Sequence, residues 1–139
     1  MMPRLGMLIV TLLTITAPTA VHGCGVCIED KVAAAYDHAV IHAAIAKHRQ
    51  VVFVAVDGAV DVKKIGAQIA AATPRVHGVV AGTLRTSVAP PAFSFGLDAA
   101  ENAERAVAAF RSALADSGAR LTMVRIMRDG ALIAPPKQQ

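Results

Sequence analysis

Between residues 50 and 128 the apolar pattern switches between alternation and a helical period in the order β-α-β-β-α-β, and this order constrains the fold more than anything else in the chain. Residues 51–56 are rich in valine with Phe53 among them, and Asp57 and Gly58 close them as a strand and its turn. Helical spacing returns over residues 61–72, with Val62, Ile65 and Ile69 on one stripe and Thr73 and Pro74 as the stop. Residues 76–84 read as a second strand, and residues 87–91 as a loop, because Pro90 and Pro91 do not fit inside a sheet. Phe93, Phe95 and Leu97 alternate with Ala92, Ser94 and Gly96, which gives the third strand a large-residue face and a small-residue face. An amphipathic helix over residues 102–116 turns Ala106, Ala109, Phe110, Ala113 and Leu114 inward and ends at Ser117 and Gly118. Residues 121–127 supply the last strand, with Met123 and Met127 on one face as core residues, and a polar tail runs over 129–139. Right-handed crossovers leave few ways to close this order. The expectation is an α+β fold with two helices on one face of a four-stranded antiparallel sheet.

Ahead of that unit, residues 24–49 form a segment of their own. Residues 27–48 have the spacing of one long helix, with Ile28, Val32, Ala35, Tyr36, Ala39, Ala43 and Ala46 on one side and Asp30, Asp37 and His48 opposite. Glu29 and Asp30 suit its start, and Lys47 and Arg49 its end. Its alanine-rich face is expected to dock on the open face of the sheet or on a partner protein.

The 139-residue chain is long enough for one domain with a real core. Residues 1–23 carry one charged side chain, Arg4, then an apolar run over 7–15, then Pro18 and small residues, the order of a secretory signal peptide cleaved after Gly23. The run is too short to span a bilayer, which takes about 20 residues. Export to the periplasm is the expectation, with a lipoprotein anchored to the membrane through Cys24 as the alternative. The leader holds only one of the 14 basic residues and none of the 10 acidic ones, so the mature chain stays mildly basic. Its Lys and Arg are scattered, without the stripe or aromatic interleaving of a nucleic-acid binder.

Residues 50–128, from the strand at 51–56 through the stop at Thr73 and Pro74 and the following Gly78 and Val79 to the end near Met127, resemble heavy-metal-associated domains. These are small ferredoxin-like modules that bind copper or related soft ions. The resemblance implies a ferredoxin-like βαββαβ sandwich, here preceded by an additional N-terminal α-helix. In that family a Met and a C-x-x-C follow the first strand, where this chain has Gly58, Ala59, Val60, Asp61 and Val62. None of the family's ligands therefore carries over.

The only two cysteines, Cys24 and Cys27, form a C-x-x-C pair just after the leader. Such a pair binds a soft metal as two thiolates, cycles between dithiol and disulfide, or stays oxidised as a local staple. Two thiolates satisfy Cu(I), whereas Zn(II) asks for two further ligands. No strand precedes the pair, which counts against a thioredoxin-like oxidoreductase, and Ile28 rather than His follows it, which counts against haem attachment. A second constellation is His38 and His42, one helical turn apart. On one continuous helix Cys27 and His38 are about 16 Å apart along the axis, so the two pairs cannot close on one ion. His48 and His77 read as isolated surface residues, and Tyr36, Asp37 and His38 make no catalytic dyad. No phosphate loop, nucleophile elbow or carboxylate pair is present in the sequence. The expectation is a non-enzymatic copper-type protein using Cys24 and Cys27, with an exported protein or a second copy as partner. A redox protein and a binding module with a structural disulfide are the alternatives.

Overall fold

The computed structural model describes residues 27–137. The leader and Cys24 lie outside them. In chain order the elements are α1 (Ile28–Ala34), α2 (His38–Ala46), β1 (Gln50–Asp57), α3 (Val62–Ala72), β2 (Arg85–Val88), β3 (Pro91–Leu97), α4 (Ala103–Ala113), β4 (Arg120–Arg128) and β5 (Ala131–Ile133). The strands form one antiparallel sheet in the order β2-β3-β1-β4-β5, and the fold is α+β.

Strand β1 sits at the centre of the sheet, and its consecutive apolar residues feed two cores. Val52, Val54 and Val56 face α3 and α4, meeting Ile65, Ile69, Ala106, Val107 and Phe110 along with the large-residue face of β3. Val51, Phe53 and Ala55 face the other way and meet Val32, Ala35, Val40, Ile41 and Ala44 of the N-terminal segment. The alanine-rich segment thus docks on the sheet face left open by α3 and α4, and the molecule has three layers. The small-residue face of β3 lies beneath it: Ala92 belongs to this second core, and the buried Ser94 hydroxyl donates to the Ala35 carbonyl over 2.6 Å.

Capping explains the helix starts. The Asp61 carboxylate accepts from the N–H groups of Lys63 and Lys64, and the Asn102 side chain accepts from Arg105 N–H, which satisfies donors that the first turn leaves unpaired. At Gly58, φ is +112° and a Cβ would lie 2.8 Å from the Gly118 carbonyl oxygen, so only glycine fits this turn.

Several expectations need correction. The long helix over 27–48 is two helices, because Asp37 adopts an extended conformation and its side chain accepts from Val40 N–H as the cap of α2. The break shifts the helical phase: Val40, Ile41 and Ala44 are buried, while Ala39, Ala43 and Ala46 are exposed. The second strand is Arg85–Val88, not 76–84, because Gly78 and Gly82 at φ of 80° and 77° turn the chain and leave only an isolated bridge from Val79 to Leu97. The loop expected over 87–91 shrinks to a turn at 89–90, with Val88 paired to Pro91 at the start of β3. Met123 and Met127 face opposite cores, because a register shift between Phe53 and Val54 inserts Val124 as an extra residue in β4. In α4 the buried set contains Val107 and Ala103, while Ala113 is exposed. Residues 131–133 add a fifth strand where the sequence reads as tail.

Gln50 is buried at the start of β1, where its Nε2 donates to the carbonyls of Asp98, Ala99 and Glu101 and its Oε1 accepts from Arg128. One side chain thereby satisfies the backbone of the turn that leads into α4. Gln50→Ala is expected to cost about 1–3 kcal/mol, because it removes the part-buried hydrogen bonds that tie this turn and Arg128 to β1, read as a lower urea midpoint at unchanged slope.

Candidate metal centre

Cys27 occupies the N-cap position of α1. Its carbonyl accepts from Asp30 and Lys31 N–H at 3.0 and 3.2 Å, but its side chain makes no capping bond. The thiol is exposed and is not spent on holding the helix. Helix α1 is only seven residues long, so tertiary contacts must hold it in place. Val32 and Ala35 anchor its inner face, and Ser94 takes up its last carbonyl turn. Lys31 Nζ meets Asp57 Oδ1 at 3.1 Å, and Arg125 Nη2 meets Glu29 Oε1 at 3.2 Å. Arg125 reaches α1 because the irregularity at Val124 leaves both residues on this side of the sheet.

One side of α1 borders an open cavity of about 370 Å³ lined by Glu29, Val32, Ala33, Tyr36, Arg125 and Leu132. The Tyr36 ring stacks on Phe53 at 6.5 Å, which continues the second core out to the surface. The exposed Ile28 and Leu132 add apolar surface near the same helix and strand β5. The sequence marks Tyr36 only as part of a helical stripe. Leu132 and Arg125 enter this surface through the fifth strand and the irregular β4, which no local pattern announces.

His38 and His42 both lie on α2, exposed, with ring centroids 4.2 Å apart. The break at Asp37 puts them on a different helix from the one Cys27 caps, so among the described residues Cys27 and the two histidines do not share one helical face. Among the described residues no three His, Cys, Asp or Glu gather where they could hold an ion. His48 and His77 are exposed and pair with Asp129 and Glu101 at 3.3 and 3.0 Å.

Asp37 is not turned toward His38. Its Oδ2 accepts from Arg85 Nε at 2.6 Å and its Oδ1 from Val40 N–H at 3.1 Å. The Arg85 hydrogen bond, followed by the Val40 amide, holds its carboxyl below the usual carboxylate range. A depressed carboxyl contributes stability above its unfolded-state pKa, and that contribution is lost as pH falls through its folded-state value. Asp37→Asn keeps the cap but removes the charge. Wild type is therefore expected to be the more stable of the two at neutral pH, with the gap closing from about pH 5 downward, as read from urea midpoints across pH.

Among the described residues no helix is long and apolar enough to cross a membrane. No family model, curated protein or solved structure matches the chain.

Proposed function

We propose that the chain is an exported, non-enzymatic soft-metal protein that presents Cys24 and Cys27 as two thiolate ligands, with Cu(I) as the first ion and zinc as the second. The observation that carries this reading is the exposed, uncapped Cys27 side chain on a helix start that ion pairs and buried side chains clamp to the sheet. A ligand on a fixed element loses little freedom when it binds, which favours capture. Two thiolates complete a linear site for Cu(I), whereas zinc would need two ligands more. The amine of Cys24 supplies a further ligand if the leader is cleaved after Gly23. The order β2-β3-β1-β4, with α3 and α4 on one face, supports a ferredoxin-like unit to which the α1–α2 layer and β5 are additions. Heavy-metal-associated domains share that plan, and this chain moves the cysteine pair from the loop after the first strand to the segment ahead of the sheet.

The test is intact mass before and after thiol alkylation, with and without Cu(I). Retention of one copper ion that shields both cysteines from alkylation is the expected result. Lipid mass on Cys24 would remove the two-thiolate site and point to a membrane-anchored lipoprotein. A disulfide that ignores copper and resists mild reductant would favour a binding module, and one that exchanges rapidly with a partner thiol a redox protein.

A further inference from the structure

We infer that His38 and His42 form a second, separate metal site, a two-imidazole chelate for a tetragonal divalent ion, Cu(II) before Ni(II). This inference does not rest on the thiolate site. The two rings occur one turn apart on α2, both open to solvent, with centroids 4.2 Å apart and planes inclined at 41°. An imidazole nitrogen about 2.0–2.1 Å from an ion puts its ring centroid about 3.2 Å from that ion. Two ligands about 90° apart then hold their centroids about 4.5 Å apart, whereas tetrahedral ligands hold them about 5.2 Å apart. The observed 4.2 Å is close to the spacing that neighbouring positions on a tetragonal ion require, and both rings are exposed, so rotation about their side-chain bonds can turn one nitrogen of each toward a common ion. The order of divalent affinities also puts Cu(II) first.

The surroundings define the rest of the site. Asp37, the carboxylate next in sequence, is committed to Arg85 and to Val40 N–H, so it is no third ligand. No third His, Cys, Asp or Glu joins the pair among the described residues. Two coordination positions or more are thus left to water or to an incoming donor, which makes this an exchangeable surface chelate rather than a closed structural site. The helix itself is firmly held: Val40, Ile41 and Ala44 are buried against the sheet, and Asp37 caps its start. Both imidazoles therefore hang from one rigid turn, as a chelate requires.

The test uses the full chain carrying Cys24→Ser and Cys27→Ser, so that the thiols neither bind nor reduce Cu(II). Cu(II) is titrated by calorimetry and the loaded protein is examined by electron paramagnetic resonance. A tetragonal signal with hyperfine splitting from two imidazole nitrogens is expected, and His42→Ala should weaken binding about tenfold or more. Pairing His42→Ala with Ala43→His keeps the histidine count but rotates one ring away by a residue; it should bind as poorly as His42→Ala alone. Positions 42 and 43 are exposed, so circular dichroism should show an unchanged fold in every variant. Affinity and spectrum equal to the parent in the rotated variant, or in a His38→Ala, His42→Ala double variant, would overturn the assignment. Because the parent already lacks both thiols, loss of Cu(I) binding at Cys24 and Cys27 has no bearing on either outcome.

Discussion

A chain that begins at Arg49, without α1 and α2, is expected to lose its cooperative fold. That layer covers Val51, Phe53, Val124 and Met127 on the central part of the sheet, each buried to at least nine-tenths. Exposing side chains of this size costs about 1.5–3 kcal/mol each, and the four together lose about 6–12 kcal/mol. A domain's whole stability is about 5–15 kcal/mol, so the loss is comparable to everything the fold has to spend. The buried Ser94 would also be left without the Ala35 carbonyl that its hydroxyl meets. Urea unfolding followed by circular dichroism, with sedimentation to detect aggregates, checks this. A sharp two-state transition from a soluble monomer would show that the N-terminal layer is dispensable to the fold.

Phe110→Ala is expected to be the most damaging single truncation in the other core. Its ring is fully buried between α4 and the sheet, 5.3 Å from Phe93 at 66° and 5.1 Å from Phe95 at 48°. These edge-on and tilted contacts add to area burial, and the hole left by the ring has rigid β3 on one side. The expected cost is about 3–5 kcal/mol, the range for Phe-to-Ala changes in cores. A second core lies on the far side of the sheet, so the variant should still fold, with a lower urea midpoint and exchange-labile amides concentrated in α4. A loss below about 1 kcal/mol would mean that this side of the sheet collapses around the missing ring.

The sequence announces the elements whose determinants are local. Strand β1 follows from a run of β-formers ended by Asp57 and Gly58, and α3 and α4 from periodic apolar stripes begun by Asp61 and Asn102. It misreads elements whose determinants are distant. Asp37 looks like one polar residue on a long helix, and its role as a cap is reinforced by Arg85 from the far edge of the sheet. Residues 76–84 carry strand-forming side chains, but Gly78 and Gly82 turn the chain before a strand can form. Met123 and Met127 sit four apart, and the irregularity at Val124 sends them to opposite faces. At the candidate metal centre the ligand types and the exposure of Cys27 are legible. The clamp on α1, through Ser94, Asp57 and Arg125, is tertiary and is visible only once the sheet is assembled.

The central claim is that Cys24 and Cys27 together hold a soft ion. Its most direct measurement is competition for Cu(I) against a chromophoric chelator under anaerobic, reducing conditions, comparing wild type with the Cys24→Ser, Cys27→Ser double variant. Wild type should withdraw one Cu(I) per chain from the chelator and the double variant none. Equal withdrawal by both would contradict the account.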